Sequence, residues 1–79
     1  MAKADASRKI AAEVPRLLRE ERVRRGLSIY RLAKMSGVSQ QMISYVERGM
    51  RNPTLDTLLR IANGLNVDLS RLIKRATRK

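Results

Sequence analysis

Gln40 and Gln41 stand side by side directly after Ser39, and Ser44, Tyr45 and Arg48 follow them at helical spacing. A glutamine amide presents an acceptor beside a donor, so it can pair with N6 and N7 of adenine through two hydrogen bonds; a serine hydroxyl can address several base edges. At 100° per residue, Met42, Ile43 and Val46 share one side of such a helix, while Gln40, Gln41, Ser44, Tyr45 and Arg48 fan over the other. The outer set has the chemistry to read bases in a major groove, with Arg48 placed for a phosphate or for the negative end of the helix dipole. Tyr45 has two readings: contact with a thymine methyl, sugar or phosphate, or a cover over the edge of the core. Polar residues on a short helix are also what a solvated face looks like, so the surrounding elements must decide.

Composition narrows the choice. The chain has 79 residues, 18 Lys and Arg against 7 Asp and Glu, and a formal charge of +11, which suits a phosphate-binding surface. Cysteine and histidine are absent. Disulfides, thiolate metal sites and the commonest general base are thereby excluded; no cofactor and no metal are expected, and catalysis has little to work with. Tyr30 and Tyr45 are the only aromatics, so the stacking platform of single-strand binders is missing and duplex DNA is favoured. No apolar run approaches the roughly 18 residues that span a bilayer, and the start, Met1 to Ser7, lacks the apolar core of a secretory signal. A cytoplasmic protein, gathered on the nucleoid when bound to DNA and not on a membrane, is expected.

Periodicity and cap residues divide the chain into about five short helices without strand-like alternation, an all-α fold. The first covers roughly 15–25, with Val14, Leu17 and Leu18 on one face and Gly26 as its stop. Pro15 suits a first turn, so residues 1–14 are read as a separate N-terminal segment, either disordered or a short extra helix. Ser28 caps a second helix over 29–35, with Ile29, Leu32 and Ala33 inward; Ser39 caps a third over 40–48. The join, Ser36-Gly37-Val38-Ser39, is a tight helix–helix turn that needs small residues. Thr54 caps a fourth helix carrying Leu55, Leu58, Leu59 and Ala62 at i, i+3, i+4 and i+7, closed by Asn63-Gly64. Asp68 caps a fifth with Leu69, Leu72 and Ile73. Residues 15–74 are read as the folded domain and 75–79 as a basic tail.

The run from Leu27 to Gly49, continued from Asn52 through the fourth and fifth helices, resembles the helix-turn-helix of the lambda-repressor-like (phage repressor and Cro) family over roughly residues 16–73. The resemblance implies a compact five-helix domain with a central helix-turn-helix. It implies that Gln40 and Gln41 read bases, and Ser44 and Tyr45 stand beside them as further candidates. It further implies that Ser28, Tyr30 and Arg31 at the start of the second helix grip a phosphate, as do Arg51 and Asn52 in the following loop. It pairs Glu47 with Arg22 as a structural ion pair. Ile29 departs from the pattern, because family members commonly carry a glutamine there that bridges a phosphate and the recognition helix. Either Tyr30 and Arg31 take over that contact or Gln40 is less constrained, which leaves Gln41 and Ser44 as the principal readers.

Leu69, Leu72 and Ile73 either complete the core or form a symmetric dimer patch. Two half-sites of a palindromic operator lie about 34 Å apart, a spacing that a homodimer matches naturally. The function that follows is a sequence-specific transcriptional regulator, a repressor or autoregulator bound to duplex DNA. Its rivals are an antitoxin-type module whose main partner is a protein such as a toxin, with RNA polymerase as another conceivable partner, and a sequence-neutral basic protein that coats nucleic acid.

Overall fold

The structure is a computed structural model that describes residues 2–50 and 52–78, and side chains from residue 6 onward within them. Among the described residues the chain forms α1 (Ala2–Arg24), α2 (Ile29–Ser36), α3 (Gln40–Glu47), α4 (Leu55–Leu65) and α5 (Leu69–Arg78), with no strand. Arg51, assigned above to a phosphate, lies outside the described residues. None of the described helices is long and apolar enough to cross a membrane.

Two boundaries differ from the sequence reading, each for a physical reason. Residues 2–14 are not a separate segment: α1 runs unbroken through Pro15. A proline inside a helix forfeits one backbone hydrogen bond and crowds the preceding turn, at about 3 kcal/mol. The apolar face continues on both sides of it, with Val14 at 3% and Leu17 and Leu18 at 1% exposure and Ile10 packed against them. Burying such side chains contributes about 1.5–3 kcal/mol each, enough to hold the helix on the core across the proline. Likewise 75–78 is no loose tail but the last turn of α5, with Ala76 wholly buried.

A third difference concerns glycine. Asn63-Gly64 does not end α4; the helix continues to Leu65 and is capped by Asn66 in the left-handed conformation. Gly64 is there for closeness. A Cβ on it would come within 2.9 Å of the Ser36 Cβ and 3.1 Å of the Ser36 Cα, so α4 can lie against the end of α2 only without a side chain at this point. Gly37 has the opposite role. Its φ of 76° turns the chain between α2 and α3 while its N–H donates to the Ala33 carbonyl at 2.9 Å.

The core gathers one face of every helix: Val14, Leu17 and Leu18 of α1, Leu32 of α2, Ile43 and Val46 of α3, Ile61, Ala62 and Leu65 of α4, and Leu69, Leu72 and Ala76 of α5, closed by Val38 of the turn. Leu69 and Leu72, expected either in the core or in a dimer patch, are 5% and 3% exposed within one chain. They belong to the core and cannot supply a dimer face. The apolar stripe anticipated on α4 is likewise rotated: Leu58, Ile61, Ala62 and Leu65 face inward, while Leu55 and Leu59 are left 62% and 44% exposed.

Candidate nucleic-acid interface

α3 is positioned from beneath and from both ends. Ile43 and Val46 are wholly buried and seat it on the core. At its start, Ser39 Oγ accepts from the Met42 N–H at 3.1 Å; at its end, Glu47 is tied to α1. Arg22 donates to both Glu47 oxygens, from Nε at 2.7 Å and from Nη2 at 2.9 Å, and its third nitrogen donates to the Leu27 carbonyl at 2.7 Å. These hydrogen bonds to Glu47 hold the Arg22 guanidinium above its ordinary pKa against the opposing effect of burial. The side chains are only 12% and 6% exposed, so the fork fixes α3 against α1 and takes the carboxylate out of solvent.

With Ile43, Val46 and Glu47 turned away, α3 presents Gln40, Gln41 and Arg48 fully outward and Ser44 and Tyr45 at half burial. Gln41 Nε2 donates to Tyr45 Oη at 2.8 Å, and the Arg48 guanidinium lies 5.9 Å from the centre of the Tyr45 ring. Three residues one turn apart are thus linked. Tyr45 takes a share of both readings: its ring is half-covered, and its hydroxyl faces Gln41.

At the start of α2, Ser28 Oγ accepts from the Arg31 N–H at 3.0 Å. Tyr30 and Arg31 are exposed, and Lys34 Nζ sits 5.3 Å from the Tyr30 ring centre. Tyr30, Lys34, Gly37 and Gln40 line one groove between α2 and α3. Lys34 was missed in the sequence reading, although its place one turn after Tyr30 on the outer face of α2 was visible there. Neither α2 nor α3 carries an acid in its first turn, whereas α4 has Asp56. The positive ends of these two helices therefore remain uncompensated. Asn52 is exposed and lies beside α1.

The described carboxylates from Glu13 onward are committed to cations or caps elsewhere. Glu13 and Glu20 hold Arg16, Asp56 holds Arg60, and Asp68 accepts from the Ser70 N–H and hydroxyl. Glu21, also missed, is the most buried charged residue among those described, at 5% exposure, and it gathers Arg24, Arg25 and Arg75. Its position on the stripe of Val14, Leu17 and Leu18 was the available signal. The face formed by α3 and the start of α2 is thus polar and cationic, with its one carboxylate turned inside.

Two short helices joined by the three-residue turn Gly37-Val38-Ser39, the second resting on core residues and showing its polar side to solvent, define a helix-turn-helix domain. The helix-turn-helix family model matches residues 18–72. Among relatives, the HTH-type transcriptional regulator SutR of Escherichia coli is 46% identical over 56 residues, covering 71% of this chain and 32% of SutR. The uncharacterized HTH-type transcriptional regulator y4dJ of Sinorhizobium fredii is 38% identical over 69 residues, 87% of this chain and 84% of y4dJ. The restriction-modification controller protein C.AhdI of Aeromonas hydrophila superimposes with a TM-score of 0.72 at 35% identity, covering 80% of this chain and 94% of C.AhdI. The chain belongs to the lambda-repressor-like helix-turn-helix family. It spans about a third of SutR and most of y4dJ and C.AhdI.

Proposed function

We propose that this chain is a transcriptional regulator that reads duplex DNA by laying α3 in the major groove. The observation that carries the reading is the linked outer face of α3. Gln41 spends one amide N–H on Tyr45 Oη and keeps its other N–H and its carbonyl, the pair that adenine N7 and N6 require. Tyr45 is a positioning residue that acts through Gln41. Gln40 and Ser44 flank it as further base contacts, and Arg48 closes the row toward the backbone. Ser28, Tyr30 and Arg31, joined by Lys34, form one phosphate grip at the α2 start; Arg51 and Asn52 form the other. The relatives named as transcriptional regulators, and a neighbour named as a controller protein, favour regulation over passive coating.

The regulator acts as a homodimer whose contact is the edge of α4 and α5. Leu55 and Leu59 are exposed there beside half-buried Ile73, around a groove that Val67 and Ser70 complete. A second copy would cover this edge and repeat α3 one helical turn along the DNA. Selection of binding sites from random duplexes tests the whole reading. A palindromic consensus is expected, bound far more tightly than random DNA at about 0.15–0.2 M salt. Equal affinity for selected and random duplexes would sink it. Leu59→Glu is expected to leave a monomer in equilibrium sedimentation and to reduce palindrome binding.

A further inference from the structure

The N-terminal half of α1 precedes the residues that the family model matches, yet it runs beside the loop that follows α3. Arg8, Ala11, Ala12 and Pro15 form one wall of a surface groove, and Gly49 and Asn52 form the other. Along α1, Arg8, Ala12, Pro15 and Arg19 recur at i, i+4, i+7 and i+11, a single stripe on this side of the helix. Its two cations differ. Arg19 at one end lies 3.8 Å from Glu47, whereas Arg8 at the other is exposed and makes no ion pair among the described residues. Among the described residues, no carboxylate lines the groove. Between the two arginines the wall is alanine and proline, so α1 sets nothing bulky in front of Gly49 and Asn52.

We infer that Arg8 is an additional contact to the DNA backbone, taking a phosphate next to the one gripped by the loop around Asn52. The inference rests on the reading that α3 enters the major groove, because the loop leaving α3 then comes up against the phosphate rail at the groove's edge. A strand of sugar-phosphate passing over the loop meets Arg8 across the groove that the two share. Continuity with the α3 face selects nucleic acid as the occupant, and the groove's place beside the loop that leaves α3, away from the Gln40–Ser44 row, makes the contact one to phosphate. The extension of α1 thus serves as a rigid arm: a helical residue holds its guanidinium in place with less entropy to lose than one on a loose N-terminal tail.

The test measures affinity against salt for the duplex recovered by selection and for a random duplex. It compares the wild type with Arg8→Ala, Arg8→Lys, Lys9→Ala and Gln41→Ala. Alanine at position 8 keeps the helix, which circular dichroism verifies. Loss of one phosphate contact reduces the slope of log K against log salt by about 0.9 and weakens both duplexes about fivefold near 0.15 M salt. Arg8→Ala is expected to do this, Arg8→Lys to restore most of the slope, and Lys9→Ala, a quarter-turn away, to leave it near the wild-type value. An unchanged slope for Arg8→Ala, with Gln41→Ala still losing the selected duplex, overturns the Arg8 contact alone. If Gln41→Ala loses nothing and the wild type does not prefer the selected duplex, the reading head itself has failed and the inference falls with it.

Discussion

Glu21 and Arg22 are neighbours on α1, both end in ion pairs, and they do different work. Arg22 reaches a single acid, Glu47, through two short parallel hydrogen bonds between side chains that are both nearly closed to solvent. Glu21 is equally buried but is met by three arginines whose own side chains are 37–64% exposed. The first pair links α1 to α3 and sets where the reading helix stands. The second links the end of α1 to α5 and makes no contact with α3. A bidentate buried pair fixes geometry, whereas a buried acid ringed by wet cations has partners to spare and tolerates the loss of any one of them.

The largest effect should come from breaking the first. Glu47→Ala strands a guanidinium that is 12% exposed, and removing one partner of a buried pair costs about 3–5 kcal/mol. The lower end is expected here, because Leu27 still accepts one Arg22 hydrogen bond and Arg19 stands close enough to shift. Urea denaturation gives the loss. Arg22→Met combined with Glu47→Leu should recover most of that stability, since apolar replacements of similar volume leave no charge unpaired. DNA affinity measured below the unfolding transition should recover less, if the fork also holds α3 in its reading position. Full recovery of both would reduce the fork to a stability device and erase the contrast with Glu21.

How much of this was legible in the sequence divides along the same line. The turn of α2 into α3 was readable because each of its parts carries a local signal: Ser28 and Ser39 as caps, Gly37 for its positive φ, and Ile43 and Val46 on one helical face. The Arg22–Glu47 fork came only from the family resemblance, since nothing local joins residues 25 apart. Glu21 continues the apolar stripe of α1 but gives no signal of its own, because two of its three partners are near neighbours in the chain and the third, Arg75, reads as part of a loose tail. Pro15 misled for a related reason: a proline reads locally as a start, and only the burial of Ile10 and Val14 shows why the helix persists before it. Gly64 reads locally as a stop, yet its value lies in the approach of Ser36, a contact between helices that spacing does not reveal. The outer face of α3 was visible as a set of residues. The hydrogen bond that makes Gln41 and Tyr45 a unit was not, because it depends on rotamers.

That unit supplies the next test, in which affinity and stability should separate. Gln41→Ala removes an exposed side chain and should leave the melting temperature nearly unchanged. It should also cost about 1–3 kcal/mol on the selected duplex and relax preference at one base position. Tyr45→Phe keeps the ring against the core and the Arg48 guanidinium while deleting the hydroxyl that orients Gln41. A smaller loss at that same base position, and none in Gln41→Ala background, is the signature of a residue acting through another. Independent, additive losses would instead assign Tyr45 a contact of its own.

The smallest effect belongs to Glu21, and its sign can be worked out in advance. Burial pushes this carboxyl up, but the Arg25 hydrogen bond and the charges of Arg24, Arg25 and Arg75 together outweigh it and hold it below its ordinary value of 4.5. A carboxylate depressed on folding stabilises the native state above its unfolded pKa, and that stability is lost as the pH falls through the folded value. Glu21→Gln keeps the shape and some hydrogen bonding but removes the charge, so near neutral pH it should cost about 1 kcal/mol, small because the arginines remain solvated. Urea midpoints followed between about pH 3 and pH 7 should show the two proteins converging on the acid side, with a shallower acid slope for Glu21→Gln. Added salt should shrink the gap at neutral pH, and affinity for the selected duplex should match wild type. A gap that persists through the acid limb would mean that Glu21 acts by packing and not by charge. A loss of DNA affinity would place the α1–α5 seam in the reading apparatus, where the geometry of the two knots does not put it.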